Sequence, residues 1–137
     1  MASKDVSDDE QKLFDAAIKV RANSYAPFSQ YYVGAAIIDE NGALHIGCNV
    51  ENSSFPESAC AEANAVGAMI AAGGKRIVAI AAVGGHDDLE ACTPCGGCRQ
   101  RIFEFGDENT RVILKGENDT IEGQLIYELL PGGFRLR

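Results

Sequence analysis

Two short motifs, far apart in the chain, carry the residue types that bind a metal ion and move a proton. They are Cys60-Ala61-Glu62 and Pro94-Cys95-Gly96-Gly97-Cys98. Zn²⁺ prefers four tetrahedral ligands, and a catalytic zinc site takes three from the protein and leaves the fourth position for water. The three cysteines therefore match an open zinc site, and the carboxylate of Glu62 is left over as an acid and base.

Two helix N-termini are expected to position these motifs. The Ala-rich segment 59–72 predicts one helix that stops at Gly73-Gly74, and the pattern over 95–105 predicts another. The thiols then lie in first helical turns, where the helix dipole stabilises thiolates. Because residues two apart on a helix point to different sides, we expect Glu62 to face the water or the substrate instead of binding the same ion as Cys60.

The rest of the chain predicts a mixed sheet around these helices. The further elements are a helix from a capping box at 7–10 to about residue 23, strands at 32–38, 44–49, 77–83, 111–114 and 120–124, and a short helix at 125–130. Asn41-Gly42 predicts the turn of a hairpin between the first two strands. This order indicates the α/β class, with helices on both faces of the sheet, and the length predicts a single domain over residues 1–137.

Composition restricts the partners and the location. The net charge is −8, with 20 acidic against 12 basic residues. Because a nucleic-acid binder normally carries a basic stripe, this balance argues against a nucleic-acid partner. The N-terminus lacks the features of a secretory signal, and no stretch has the roughly 18 to 20 apolar residues of a membrane span. We therefore expect a cytoplasmic protein without a membrane partner, whose five cysteines are metal ligands or core thiols.

Six ordered motifs extend over nearly the whole chain: Ala26-Pro27-Phe28-Ser29, Val33-Gly34-Ala35-Ala36, Gly47-Cys48-Asn49-Val50-Glu51-Asn52, Cys60-Ala61-Glu62, Pro94-Cys95-Gly96-Gly97-Cys98-Arg99-Gln100 and Glu128-Leu129-Leu130-Pro131. Together they resemble the motifs of the small homotetrameric cytidine deaminases. The cysteine motifs are also similar to the general signature of zinc deaminases. The resemblance implies a three-layer α/β/α sandwich around a five-stranded mixed sheet and one Zn²⁺ per subunit. It also implies hydrolytic deamination of cytidine and 2′-deoxycytidine.

The resemblance further implies roles for individual residues. It makes Cys60, Cys95 and Cys98 the zinc ligands, and Glu62 the group that carries a proton from water to N3 of the pyrimidine. The implied substrate contacts are ribose binding by Asn49 and Glu51, a backbone contact from Ala61, an aromatic wall from Tyr31 and base stacking by Phe134. Phe134 would come from a neighbouring subunit, so that the active site is complete only in a homotetramer. From the residues alone, Asn49 and Glu51 could instead be turn-forming residues at the end of a strand, and Phe134 could be a C-terminal residue of the core.

The chain departs from the family pattern at three positions. Many family members with three cysteine ligands have Arg after the catalytic Glu, where it bonds the thiolates, but this chain has Ala63. The helix N-termini or Arg99 are then expected to supply the compensating charge. Phe28 and Phe55 replace tyrosines of the substrate loops, which keeps the ring and loses the hydroxyl.

Other interpretations remain open at this stage. A Cys-x-x-Cys pair at the start of a helix is typical of thiol oxidoreductases, although that function leaves the Cys-Ala-Glu motif unexplained. A closed structural zinc site would take a fourth ligand from Cys48, Cys92, His45 or His86. We expect both of these cysteines to be buried or loop thiols and both histidines to be at the surface. Among aminohydrolases, the alternative substrates are another nucleoside, a free base or an aminopyrimidine antibiotic such as blasticidin S, and the ribose-binding pair favours a nucleoside.

Overall fold

A five-stranded mixed sheet forms the centre of the protein in a computed structural model that describes residues 3–136. The helices are α1 (Asp8–Arg21), α2 (Ala61–Ala71), α3 (Gly96–Glu104) and α4 (Ile126–Leu129), and the strands are β1 (Tyr32–Asp39), β2 (Leu44–Cys48), β3 (Ile77–Gly85), β4 (Arg111–Lys115) and β5 (Ile121–Leu125). All the predicted elements are present, and their ends differ from the predictions by at most two residues. The longest helix, α1, has 14 residues, and none of the helices in the described part has the length and apolar character for crossing a membrane.

The order of the strands brings distant parts of the chain to one edge of the sheet. The order is β2-β1-β3-β4-β5, and only β3 and β4 are parallel. Because β1 runs antiparallel to both β2 and β3, its first residues lie beside the last residues of those two strands. Tyr32 accordingly pairs with Gly85, and Gly34 pairs with Cys48. Segments that precede β1 or follow β2 and β3 therefore meet at this edge.

The helices cover both faces of the sheet, which confirms the α/β/α arrangement. Alternate residues of β1 point to opposite faces, so Ala35 and Ile37 face α2 while Ala36 faces α1. The α1 side is packed by Leu13, Phe14, Ala17, Ala36, Ala79, Ala81, Val83 and Ile113. The other side, with α2, α3 and α4, is packed by Ala35, Ile37, Ala61, Ala65, Val66, Met69, Ile77, Ile80, Ile102, Phe103, Val112, Leu114 and Ile126.

Helix α2 lies unusually close to β2, at Gly47. A Cβ atom at Gly47 would lie 2.5 Å from the backbone nitrogen of Ala65 and 2.6 Å from the carbonyl oxygen of Ala61. Only a residue without a side chain permits this approach of two backbones. The contact fixes the distance between the sheet and the first turns of α2.

The prediction that His45 lies at the surface is wrong. His45 and Asp39 are both buried, and the Nε2 atom of His45 lies 2.7 Å from an Oδ2 oxygen of Asp39. The other carboxylate oxygen accepts bonds from the backbone N–H groups of Asn41 (2.8 Å) and Ala43 (3.0 Å). The bond from His45, although opposed by burial, lowers the pKa of the Asp39 carboxyl, and the two backbone bonds add to this effect. The pair therefore stabilises the β1–β2 hairpin through a buried hydrogen bond between its two strands.

Candidate active site

The sulfur atoms of Cys60, Cys95 and Cys98 lie within 4.8 Å of one another. Cys60 is the N-cap residue of α2, Cys95 is the N-cap residue of α3, and Cys98 follows in the first turn of α3. In tetrahedral zinc sites with Zn–S bonds of about 2.3 Å, two sulfurs are about 3.8 Å apart. Small inward movements would therefore bring all three sulfurs to bonding distance of one ion. This three-thiol donor set fits Zn²⁺ with a fourth position open to the cavity.

The surroundings treat the three thiols differently. Burial raises the pKa of Cys60 and of Cys98, and the nearby Glu62 carboxylate raises both further. In contrast, the backbone N–H of Cys98 lowers the pKa of Cys95, as expected at a helix N-terminus. Several thiolates crowded together repel one another, and a bound divalent cation offsets this repulsion. The cluster is thus suited to a metal ion.

Glu62 is buried beside this cluster. It is the second residue of α2, its exposed fraction is 5%, and burial raises the pKa of its carboxyl. A raised pKa suits a group that must both take up and release a proton. The argument that placed Glu62 and Cys60 on different sides of a helix does not apply, because Cys60 precedes the helix with extended backbone angles (φ −71°, ψ 153°). Both side chains consequently line the same cavity.

The cavity has a volume of about 300 Å³, which is at the lower end of the usual range for ligand pockets. It lies at the sheet edge where β1 begins and β2 and β3 end. Its lining residues are Tyr31, Val33, Asn49, Glu51, Ser58, Ala59, Cys60, Ala61, Glu62, Cys92, Thr93, Cys95 and Cys98. Of the nine predicted site residues, eight are in this set, and only Phe134 is not.

The side-chain amide of Asn49 bonds backbone groups at the start of β1, in the manner of a neighbouring strand. Its Oδ1 accepts a bond from the N–H of Val33 (2.9 Å), and its Nδ2 donates to the carbonyl of Tyr31 (2.8 Å). An amide nitrogen carries two hydrogens, so one N–H donor of Asn49 is left for a ligand.

Glu51 is held by the loop that precedes β1. Its Oε1 accepts bonds from the N–H groups of Phe28 (2.9 Å) and Ser29 (3.1 Å), and its Oε2 accepts a bond from the Ser29 hydroxyl. These bonds lower the pKa of the Glu51 carboxyl. Because a carboxylate has about four acceptor sites, one acceptor remains at Oε2.

Phe134 lies outside the cavity of its own protomer. Its side chain is 66% exposed, and its carbonyl oxygen accepts a bond of 2.8 Å from the side chain of Gln100. Its predicted role in a neighbouring subunit is not tested by this structure and stays a prediction.

Comparison with protein families decides the relationship of this chain. Residues 7–123 match the family model described as the cytidine and deoxycytidylate deaminase zinc-binding region. The chain belongs to this family. The match confirms the resemblance found in the sequence, and the zinc-binding domain of the family agrees with the cysteine cluster as a site for one metal ion.

Individual members of the family are similar over almost their whole length. A cytidine deaminase of Sporosarcina psychrophila is 37% identical over 126 residues, which cover 92% of this chain and 91% of that protein. One from Halalkalibacterium halodurans is also 37% identical, with coverage of 92% and 94%. The crystal structure of cytidine deaminase from Mycobacterium tuberculosis has a TM-score of 0.81 at 36% identity and covers 96% of this chain and 100% of that one. These similarities confirm the fold.

The positive charge beside the thiols comes from a residue that sequence reasoning missed. Arg99, one of the expected sources, binds instead the carbonyls of Pro94 (2.8 Å) and Leu129 (2.9 Å) and the hydroxyl of Thr93 (3.2 Å). Arg101 has its Nη1 atom 3.6 Å from the sulfur of Cys98. The sequence signal was its spacing, because residues three apart on a helix share a face.

Further cavity residues were also missed or only partly foreseen. Cys92, expected to be a plain buried or loop thiol, lines the cavity next to Tyr31. Burial raises the pKa of Tyr31, and the interaction with the Cys92 thiol raises it further. The ring of Tyr31 also packs edge-on against His86, with centroids 5.1 Å apart. His86 itself is exposed, as predicted.

Proposed function

We propose that this protein hydrolytically deaminates cytidine and 2′-deoxycytidine to uridine and 2′-deoxyuridine, releasing ammonia, as a step of pyrimidine salvage. The observation that supports this most is one cavity that combines a three-thiol zinc site, the buried Glu62 and the spare groups of Asn49 and Glu51. Relatives named cytidine deaminase, similar over nearly their whole length, support the same substrate class. We also propose that residues 1–137 form one domain and that the protein acts in the cytoplasm.

The proposed chemistry divides between the metal and one carboxylate. Cys60, Cys95 and Cys98 would hold Zn²⁺, which would supply Lewis-acid activation of water for attack at C4 of the pyrimidine. Glu62 takes a proton from the attacking water and delivers it to N3. The same carboxylate then takes the remaining proton of that water, now on the C4 hydroxyl, and transfers it to the amino group at C4, so that the C–N bond breaks, ammonia leaves and the C4 carbonyl forms. Burial supports this role of Glu62 because it raises the pKa of the carboxyl and so favours the protonated form more than in water.

The proposed sugar recognition uses the groups that remain free on two side chains. Asn49 offers one N–H donor and Glu51 offers one acceptor, while a hydroxyl group both accepts and donates. The pair is therefore complementary to one sugar hydroxyl, which we assign to the ribose 3′-hydroxyl. At the base, Ala61 is the first residue of α2, where a backbone N–H has no partner within the helix and is available to the pyrimidine. Tyr31 forms a wall of the pocket.

We propose a homotetramer in which Phe134 stacks on the base in a neighbouring active site. Support comes from large apolar side chains that the single chain leaves exposed, since contiguous groups of this kind mark interaction surfaces and the rings of Phe28 and Phe55 are in contact, with centroids 5.4 Å apart. The exposed side chains include Tyr25 (57%), Phe28 (48%), Phe55 (68%) and Phe134 (66%). A fully active monomer in sedimentation analysis would exclude a residue donated from another subunit.

The test of the function is Glu62→Gln. We expect zinc content equal to that of the parent protein and a fall in kcat of about 10² to 10⁴, because proton transfer is lost. Cys95→Ser is the matched variant, and it is expected to lose metal as well as activity. Unchanged deamination by Glu62→Gln would contradict the mechanism. A parent protein that binds zinc but is inactive on all substrates would instead favour a non-catalytic zinc module.

The substrate is tested by following the loss of cytidine absorbance beside a panel of pyrimidine nucleosides, free bases and blasticidin S. We expect kcat/KM for cytidine and 2′-deoxycytidine to exceed that for cytosine by at least 10-fold, because the free base cannot use the hydroxyl contact. Equal activity on cytosine would contradict the assignment of Asn49 and Glu51.

A further inference from the structure

The guanidinium of Arg101 lies over the first turn of α3. Its Nη1 atom is 3.6 Å from the sulfur of Cys98, within the range of N–H···S bonds. A Cβ atom at Gly97 would lie 3.4 Å from the same Nη1 and 4.0 Å from the sulfur of Cys95. A methyl group at Gly97 would thus be in ordinary van der Waals contact with both atoms, which shows that the guanidinium lies against the first turn of α3 beside the cluster.

The proposed ligand set creates a need for a positive charge. Three thiolates and one Zn²⁺ carry a net charge of −1, and the buried Glu62 lies beside them. A negative charge in a poorly solvated place is costly unless a cation or hydrogen-bond donors face it. The chain has Ala63 where a cation could follow Glu62, so the charge must come from another position.

Within the described part of the chain, Arg101 takes part in no salt bridge. The salt bridges among residues 3–136 involve other basic groups. In contrast, the N–H groups of Arg99 donate hydrogen bonds to two backbone carbonyls and a hydroxyl.

We propose that Arg101 is a positioning residue of the zinc site: its guanidinium donates a hydrogen bond to the thiolate of Cys98 and balances the negative charge of the three-cysteine centre. The inference rests on the proposed ligand set. Hydrogen bonds to ligating sulfurs hold them in place and lower their electron donation to the metal. A cation placed one helical turn after a ligand thus replaces one that would follow the catalytic carboxylate.

The test measures zinc binding directly, with a chromophoric chelator as competitor. We expect Arg101→Gln to raise the zinc dissociation constant about 10-fold to 100-fold, which is the usual effect of removing a partner of a metal ligand. Arg101→Lys keeps the charge and is expected to recover part of this loss. The control is Arg76→Gln, which removes the same charge from an exposed pair with Asp107. Equal zinc affinity of Arg101→Gln and the parent would overturn the proposal, and so would an equal loss in the Arg76 variant or no recovery with lysine.

A spectroscopic measurement separates this role from a merely structural one. In the Co²⁺-substituted protein, loss of a hydrogen bond to a thiolate moves the thiolate-to-metal charge-transfer band to lower energy. We expect this shift in Arg101→Gln, with an unchanged Tm of the chelator-treated protein. An unmoved band, or an equal loss of Tm with and without zinc, would overturn the proposal. Cys98→Ser tests the ligand set separately from the role of Arg101, because full zinc occupancy in that variant would show that Cys98 is not a ligand.

Discussion

Replacing Gly47 by alanine tests whether the approach of α2 to β2 sets the geometry of the active site. The added methyl group would lie 2.5 Å from Ala65 N and 2.6 Å from Ala61 O, far inside van der Waals contact. Both obstacles are backbone atoms, so no side chain can rotate away. Helix α2 must then move away from the sheet together with its N-cap residue Cys60 and with Glu62 in its first turn.

The magnitude follows from the cost of overpacking. Added methyl groups in a tight core cost about 1 to 3 kcal/mol, and rigid obstacles favour the upper value. At about 2.1 cal/mol/K per residue, a chain of 137 residues has an unfolding entropy of about 0.29 kcal/mol/K. A loss of about 3 kcal/mol therefore lowers Tm by about 10 °C. Displacing a catalytic group by about 1 Å costs about 100-fold in rate, so kcat should fall more than the folded fraction at the assay temperature.

The measurement combines calorimetry with the deamination assay on Gly47→Ala, and Gly67→Ala is the matched control. Gly67 lies in the same helix, but a Cβ atom there has no neighbour within 4 Å. Because alanine is favoured over glycine in a helix by about 0.5 to 1 kcal/mol, the control should raise Tm by about 2 to 3 °C. Parent-like Tm and kcat in Gly47→Ala would refute the reasoning, as would an equal loss in the control.

Two further predictions concern the sugar contact and the buried hairpin pair. Asn49→Ala should reduce kcat/KM for cytidine about 10-fold more than for 3′-deoxycytidine, because only the first substrate loses a hydrogen bond; equal losses would mean that Asn49 acts only on the fold. Asp39→Asn should lower Tm at neutral pH, because the lowered pKa of Asp39 makes its ionised form stabilising. That stabilisation disappears as the pH falls through the lowered pKa, so the difference in Tm between parent and variant should shrink in acid; a constant difference would show that ionisation of Asp39 does not matter.

The fold was predictable because local signals agreed with one another. The capping box at Ser7, the turn at Gly42 and the apolar run of β3 each fixed an element, and the element order then required helices on both faces. Only the exact ends differed, since fraying and cap geometry depend on neighbours. The sequence did not specify that β1 pairs between β2 and β3, which is what brings the site residues together.

The errors at the site concern tertiary neighbours. The prediction for His45 fails because the sequence gives no signal for its partner: Ile37 lies opposite it in the hairpin, and Asp39, two residues farther along β1, reaches it with a carboxylate oxygen 2.7 Å from Nε2. Arg99 is one of the expected sources of charge near the thiols, but its side chain bonds two carbonyls and a hydroxyl, whereas Arg101 shares the helical face of Cys98 and lies beside its sulfur. Sequence spacing shows which side chains share a face within one helix. It does not show which side chains meet across different elements of the fold.

The cysteine cluster also affects how stable the folded chain is, and therefore how long the protein survives. With the proposed ligands, the metal joins residue 60 to residue 95 and closes a loop of about 35 residues, as a covalent cross-link would. A cross-link over such a loop restricts the unfolded chain by about 4 kcal/mol in the entropy model. Zinc supply would then determine how long each molecule survives proteolysis as well as whether it turns over substrate.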